Sequence, residues 1–319
     1  MLEPTTAIYV ERVNATIDYI ESHLDEEMRL AELAAVAHFS PYHFHRIFTT
    51  VTGETLGHFV NRTRLERAAS LLVSHPHRSI TEIATECGFL NPSSFARAFR
   101  GQFAMSATEW RRGGHRKHKR EIHDDYGHFD ESAFGVISRE SAVGASPATW
   151  RIRCGDLDPT TLTIETLPPL EVAYVRYTGR YQGQADVFAR IFDRLMSWAE
   201  PRGLISPDAW VLAVYHDNPS ITDDAFLRVS ACISVPADTP ASGDIGRMRL
   251  TGGSAAVAHF ELGDQDYPQA WRAVMGWLLD SGYEPDDRLP YERYFVDRPA
   301  AAGRTNVDIC LPVRPLRSH

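Results

Sequence analysis

The sequence predicts an all-α paired helix-turn-helix domain followed by an α+β domain built from a duplicated strand-helix-strand-strand unit. Three observations carry that expectation. A nine-residue pattern occurs twice in the first hundred residues, as Ser40-Pro41-Tyr42-His43-Phe44-His45-Arg46-Ile47-Phe48 and as Asn91-Pro92-Ser93-Ser94-Phe95-Ala96-Arg97-Ala98-Phe99. The apolar period changes from helical to two in the second half. Charge is unevenly divided as well: residues 29–120 carry 14 Lys and Arg against 6 Asp and Glu, while residues 121–319 carry 18 against 29.

A chain of 319 residues can bury two separate cores. The expected partition is a DNA-binding domain over 1–112, a linker over 113–160, and a second domain over 161–319. A basic first half suits phosphate binding, although ordinary variation between domains gives such a split too. The four cysteines, Cys87, Cys154, Cys232 and Cys310, lie far apart with no Cys-x-x-Cys pair. They are expected as reduced thiols, with no metal site and no cofactor. No apolar run approaches a membrane span, and the polar start is not a signal peptide, so the expected location is cytoplasmic.

Seven helices are expected in order. Val10, Val13, Ile17, Ile20 and Leu24 recur at alternating steps of three and four, one buried helix face. Leu30, Leu33, Ala34 and Ala37 form a short second helix. Ser40 caps the third, with Pro41 in the first position, where its missing N–H costs nothing. A long linking helix presents Phe59, Val60, Leu65, Ala68, Ala69, Leu71 and Leu72 and stops near Pro76. Ser79 with Glu82 forms a capping box for the fifth, and Gly88 ends it. Asn91-Pro92 opens the sixth, and Ser106 with Glu109 caps the seventh.

Each Phe-x-Arg-x-Phe buries its phenylalanines and so turns the intervening arginine to solvent. Arg46 can bond a guanine edge bidentately or clamp a phosphate. Tyr42 can pack on a thymine methyl and His45 can donate to a base or backbone oxygen; His43 and Thr49 complete that surface. On the sixth helix Arg97 is the strong reader, flanked by Ser93, Ser94, Ala96 and Arg100. The third helix is expected to discriminate bases and the sixth mainly to position the protein. The ordinary alternative for each arginine is a solvated helix-surface charge, against which the repeated context weighs. For Tyr42 and His45 the two readings balance. The run Arg111 to Arg120 suits either phosphate contact or a solvated tail.

Residues 8–112 resemble the paired helix-turn-helix domain of AraC/XylS-type transcription regulators. The matching positions are Leu33-Ala34, Ser40, Phe44-x-Arg46-x-Phe48, Gly53, Arg64, Ala68, Ile83-Ala84, Gly88-Phe89, Phe95-x-Arg97-x-Phe99-Arg100 and Phe103. Ala104 stands where glycine is usual, and Leu56 and Ala107 where proline is common. The resemblance implies sequence-specific binding to double-stranded promoter DNA and contact with RNA polymerase.

Residues 113–160 show no period, apart from one short ordered piece expected near Phe134 to Ser138. Beyond them Val172, Tyr174 and Arg176 alternate with Ala173, Val175 and Tyr177, a strand. A helical stripe of Val187, Phe188, Ile191, Phe192, Leu195 and Met196 ends at Gly203. Strands Trp210 to His216 and Phe226 to Val235 follow. The unit then repeats: strand Ala255 to Leu262, helix Ala270 to Leu279 ending at Gly282, and strands Tyr291 to Val296 and Asn306 to Val313. The closing strands match as Val229-x-x-Cys232-Ile233-x-Val235 and Val307-x-x-Cys310-Leu311-x-Val313. Antiparallel sheet with a groove between the halves is the implied architecture.

Glu292 lies inside an otherwise apolar strand. A carboxylate among aromatic rings suits an apolar cation, with Tyr177, Trp210, Tyr215, Tyr291 and Tyr294 as candidate contacts. On residues alone, plain core aromatics and a Glu292–arginine pair form the commoner arrangement. The region Thr161 to Pro315 also resembles the GyrI-like effector-binding domain, through Tyr215-x-Asp217-x-Pro219, Tyr291-Glu292-Arg293-Tyr294 and the duplicated layout. That resemblance implies that Glu292 lines a ligand pocket, and the domain order is that of Rob-like regulators. The expected function is a non-enzymatic, ligand-sensing transcription regulator whose small ligand is hydrophobic or cationic. Two alternatives stand beside it: a hydrolase using Glu292 as general acid/base, and a ligand-free protein-interaction domain.

Overall fold

The computed structural model describes every residue except 1–3, 116–117, 119–133, 141–147, 241–242, 296–297, 299 and 317–319. The chain divides into two compact units. A helical unit comprises Met1–Tyr126, Asp217–Leu227 and Pro240–Gly246; a sheet unit comprises Gly127–His216, Arg228–Thr239 and Arg247–His319.

The helical unit begins with α1 (Pro4–Ser22), α2 (Leu30–Val36) and α3 (Pro41–Thr52). Val13, Ile17, Ile20 and Leu24 bury against Leu33, Ala34, Phe44 and Phe48 in one core. The linking helix α4 (Leu56–Ser74) follows, then α5 (Ile80–Glu86), α6 (Pro92–Phe103) and the single turn α7 (Ala107–Glu109). A second core gathers Leu65, Leu72, Ile83, Phe95, Phe99, Phe103 and Trp110. The capping residues work as their sequence pattern requires. Ser40 accepts from the His43 N–H, Asn91 from Ser93 and Ser94, and the Ser79/Glu82 and Ser106/Glu109 boxes are both closed.

Ala104, where a glycine is usual, ends α6 at φ +55° in the left-handed region. An L-residue there costs about 1–2 kcal/mol, partly offset by the greater unfolded-state freedom of glycine. Ala104→Gly is therefore expected to raise stability by about 0.5–1 kcal/mol, visible as a higher urea midpoint at unchanged m-value.

The sheet unit contains β1 (Phe134–Glu140), β2 (Thr149–Cys154), β3 (Leu157–Leu167), β4 (Leu170–Thr178), α8 (Ala185–Ala199), β5 (Val211–Tyr215) and β6 (Arg228–Ser234). It continues with β7 (Gly246–Leu250), β8 (Gly253–Leu262), α9 (Tyr267–Ser281), β9 (Tyr283–Pro285), β10 (Tyr291–Tyr294) and β11 (Thr305–Pro315). The sheet order is β1-β2-β3-β8-β11-β10-β5-β6-β4-β7, with β9 paired to β11. The duplication is visible in that order. Each half places its middle strand (β5 or β10) at the centre, its closing strand next, and its opening strand outside. The central seam pairs Glu292 with Ala213 and Arg293 with Leu212, antiparallel.

One expectation needs correction. In the range expected as linker, 113–160, β1 covers the short ordered piece expected near Phe134 to Ser138, but β2 and the start of β3 lie there too, and the three extend the sheet at one edge. Trp150, Ile152 and Cys154 are buried with exposed Arg151 and Arg153 between them. That alternation spans too few residues to stand out beside the irregular sequence around it. Residues 119–133 and 141–147 of the same range lie outside the described residues.

Candidate nucleic-acid interface and ligand site

On α3, Phe44 and Phe48 are fully buried while Tyr42, His43, His45 and Arg46 are exposed. Tyr42 is 69% exposed, and its hydroxyl lies 3.5 Å from Arg46 Nη1. The His43 ring contacts the Ser40 cap at 3.2 Å. Thr49 is half-buried and donates to the His45 carbonyl at 2.9 Å, which leaves only its lone pairs for an outside donor. On α6 the same arrangement recurs, with Phe95 and Phe99 buried and Ser93, Ser94, Ala96, Arg97 and Arg100 exposed.

Two other arginines of this unit are paired with carboxylates. Arg62 is buried and bonds Glu54 at 2.6 Å and Glu66 at 2.9 Å, and Arg78 pairs with Glu86. Neither Arg46 nor Arg97 meets a carboxylate among the described residues, so both keep their guanidinium groups for an external anion. In the basic run, Arg112 is exposed and Arg111 half-buried; residues 116, 117, 119 and 120 lie outside the described residues.

Arg64 joins the two helix-turn-helix halves of the helical unit. Arg64, on α4, donates through Nε to the Leu24 carbonyl at 2.8 Å and through Nη2 to the Glu26 carbonyl at 2.6 Å. The same guanidinium lies against Gly88 in the turn between α5 and α6. Leu24 belongs to the first core and Gly88 to the second turn, so this contact fixes one half against the other.

The ligand-site candidates lie in the sheet unit. Glu292, on central strand β10, is 1% exposed and bonds no cation among the described residues. Its Oε1 accepts from Trp271 Nε1 at 2.6 Å, its Oε2 from the Tyr294 hydroxyl at 2.5 Å, and the Tyr215 hydroxyl is a third donor. Burial pushes the Glu292 carboxyl above its ordinary range, and the three donors only partly counter it. Burial and the nearby carboxylate push the Tyr215 and Tyr294 hydroxyls well above theirs, and Tyr267 up to about 12.

Aromatic rings surround the carboxylate. Tyr215 meets Trp271 edge to face at 5.5 Å, Tyr181 lies 5.7 Å from Tyr215, and Phe192 of α8 meets Tyr294 at 5.4 Å. Both halves of the duplication contribute, through β5 and α8 on one side and β10 and α9 on the other. Trp271, Phe192, Tyr215 and Tyr294 remain partly accessible although Glu292 is sealed. The arrangement offers ring faces at its rim and a desolvated acceptor at its base.

Of the six residues singled out from sequence, Glu292, Tyr215 and Tyr294 come together. Tyr177 lies two strands from Tyr215, paired with Val229, with its hydroxyl over Gly179. Tyr291 and Trp210 need correction: both pack in the core of the opposite sheet face with Leu212, Val214, Cys232 and Cys310. The Arg293 guanidinium lies 4.5 Å over the Trp210 ring. The reason is strand parity, since neighbours Tyr291 and Glu292 must point to opposite faces. Trp271, Phe192, Tyr181 and Tyr267 were not anticipated in this role. Trp271 and Phe192 sit in amphipathic helical stripes, which signal core rather than pocket.

Among the described residues, no group of three or more His, Cys, Asp and Glu could hold a metal ion, and no helix is long and apolar enough to cross a membrane.

Fold and sites together define a two-domain protein, a paired helix-turn-helix module followed by a duplicated α+β module with an aromatic-lined carboxylate. Residues 160–314 match the GyrI-like small molecule binding domain, and residues 33–113 match the helix-turn-helix domain family. The chain thus carries an AraC-type helix-turn-helix domain at its N-terminal side and a GyrI-like domain at its C-terminal side. It is 36% identical over 103 residues to the probable transcriptional regulator LumQ of Photobacterium leiognathi, covering 32% of this chain and 41% of that protein. It is 35% identical over 103 residues to the uncharacterized HTH-type transcriptional regulator YbfP of Bacillus subtilis, covering 32% and 35%. The chain thus matches less than half the length of these relatives. Among solved structures it is similar to the EcmrR C-terminal domain, at 19% identity and TM-score 0.41 over 49% of this chain and 98% of that one. It is also similar to the DNA-binding domain of AdpA in complex with a target DNA, at 26% identity and TM-score 0.31 over 36% and 99%.

Proposed function

We propose that this protein is a cytoplasmic transcription regulator that reads promoter DNA through α3 and α6 and senses a small apolar cation in the Glu292 cradle. A protein of this kind would have double-stranded DNA and RNA polymerase as partners and would not be an enzyme. The observation that carries the sensing half is a fully buried carboxylate with three neutral donors, no cation partner among the described residues, and accessible rings around it. Supplying a desolvated cation there completes an ion pair that the protein itself leaves open. The DNA half rests on paired helices whose phenylalanines are buried and whose Arg46 and Arg97 stay in solvent.

Binding-site selection from a random duplex library tests the DNA half. Arg46→Ala is expected to relax sequence preference at its contact by about 1–3 kcal/mol per base pair. Arg97→Ala is expected to weaken binding more uniformly across sequences. A greater loss of preference in Arg97→Ala would overturn the assignment of base reading to α3. Thermal-shift measurements with tetraphenylphosphonium and with planar aromatics test the sensing half; no shift with either, alongside intact DNA affinity, would overturn it.

A further inference from the structure

Asp217 and Pro219 of the motif Tyr215-x-Asp217-x-Pro219, at the exit of β5, have no role in the sites above. The chain leaves the sheet unit after His216 and returns at Arg228, and the eleven residues between them, Asp217–Leu227, belong to the helical unit. We infer that this segment is a strap linking occupation of the Glu292 cradle to the DNA-reading helices. The inference rests on the cradle reading above and adds its route of regulation.

The two ends of the strap are held by the hairpin that carries the cradle. Tyr215 pairs with Val229 across β5 and β6, and the His216 N–H donates to the Arg228 carbonyl at 3.2 Å. Tyr215 itself donates to Glu292. A ligand that displaces the Tyr215 hydroxyl, or draws Glu292 toward a cation, therefore acts on a residue two positions before the strap.

Within the strap, local hydrogen bonds make a stiff knuckle. The Ser220 N–H donates to Asn218 Oδ1, and those of Ile221 and Thr222 donate to the Asn218 carbonyl, each at 2.9 Å. Asp223 then accepts from Ala225 through its side chain and from Phe226 through its carbonyl, also at 2.9 Å. Such a segment can transmit displacement rather than absorb it.

Two side chains of the knuckle reach the cores beneath the DNA-facing helices. Ile221 is 7% exposed and joins the core formed by Phe95, Phe99, Phe103 and Trp110, under α6. The Phe226 ring lies 4.6 Å from the Arg62 guanidinium, which also lies 5.3 Å from the Phe59 ring. Phe59 in turn meets Phe48 of α3 edge to face at 5.5 Å. Glu54 and Glu66 hold Arg62 against both rings. One arm thus ends under the second recognition helix and the other, through Arg62 and Phe59, under the first.

The test uses the full chain and a duplex selected by the wild-type protein. Phe226→Leu keeps most of the volume but removes the ring on Arg62, and Ile221→Ala withdraws the other arm. Each is expected to bind tetraphenylphosphonium within about two-fold of wild type while losing the change in DNA affinity that this probe produces, a ratio of about five-fold or more in wild type. A wild-type ratio in both variants would overturn the strap. A second measurement needs no ligand. Tyr215→Phe is expected to raise amide hydrogen exchange in Asp217–Leu227 and in residues 54–66, and the rise in 54–66 is expected to vanish when Phe226→Leu is added. If wild type does not bind the probe, the cradle reading fails and this exchange measurement alone decides the strap. Unchanged exchange in those segments would overturn it.

Discussion

Replacing Gly88 by alanine is expected to destabilise the helical unit by about 3 kcal/mol or more and to lower affinity for a two-part DNA site by more than ten-fold. The expectation follows from three features of one position. Gly88 has φ +79°, where an L-residue costs about 1–2 kcal/mol. An added Cβ would stand 2.4 Å from the Leu24 carbonyl oxygen, a backbone atom that cannot turn aside. It would also stand 2.7 Å from the Arg64 guanidinium carbon. Moving Arg64 breaks its bonds to the Leu24 and Glu26 carbonyls, each worth about 1 kcal/mol or more because the donor is charged.

The functional consequence comes from what Arg64 joins. Helix α4 has 19 residues and so spans about 28 Å, comparable with the rise of one duplex turn. Two recognition helices can engage successive groove segments only if their spacing is held, and Arg64 holds the first core to the second turn. A double-mutant cycle separates the contributions. Arg64→Ala removes the side-chain clash but not the Leu24 clash or the left-handed strain. Gly88→Ala should therefore cost less in the Arg64→Ala background, with a coupling of about 0.5–3 kcal/mol in urea unfolding. Strict additivity would show that Arg64 and Gly88 act independently, so that Arg64 does not hold the first core to the second turn.

The paired helices were legible because each one begins and ends with local chemistry. Ser40, Asn91, Ser79 with Glu82, and Gly88 act within four residues of their own positions, so the signal sits in the sequence itself. Arg62 was not legible. It looks like any charged residue on a helix surface, and only distant carboxylates and Phe226 make it a buried one. Phe226 was read as the start of a strand, but it closes a short 3-10 turn, Asp224–Phe226, inside the helical unit. Its partner Arg62 is more than 150 residues away, and no periodicity encodes a contact of that span. In the sheet unit, the duplicated closing strands mark the repeat whose middle strands β5 and β10 form the central seam, and β1 falls on the short ordered piece expected near Phe134 to Ser138. By contrast, β2 and the edge strand β7 carry too little apolar alternation to announce themselves. Parity along β10 would have separated Tyr291 from Glu292 and Tyr294. Trp271 could not be separated from its helical stripe, because an indole in a core and an indole at a pocket rim look alike until the facing strand is known.

Glu292→Gln is expected to stabilise the protein at alkaline pH and to weaken cation binding, two effects with opposite implications for why a carboxylate is there. Burial raises the carboxyl above its ordinary value of 4.5 in the folded chain, so the fold favours the protonated form. Below that ordinary value both folded and unfolded chains are protonated, and the residue contributes no pH dependence. As pH rises through the folded value, the buried group must ionise, and stability present at low pH is lost, at about 1.4 kcal/mol for each unit of displacement. Glutamine stays neutral throughout and offers one acceptor oxygen and one donor group, much as the protonated acid does. The variant should match wild type near pH 4 and exceed it near pH 8, read from urea midpoints. Tetraphenylphosphonium binding should run the other way. Wild-type affinity should rise with pH until Glu292 is ionised, while the glutamine variant should bind at least about ten-fold more weakly with no pH dependence. A variant that binds the cation as tightly as wild type, with both profiles flat, would mean that the rings alone form the site. The carboxylate would then be a buried acid held by Trp271, Tyr215 and Tyr294 for structural reasons only. A residue that costs stability where it is charged, yet gains a partner only when a cation enters, is instead the arrangement expected of a sensor that must stay responsive when empty.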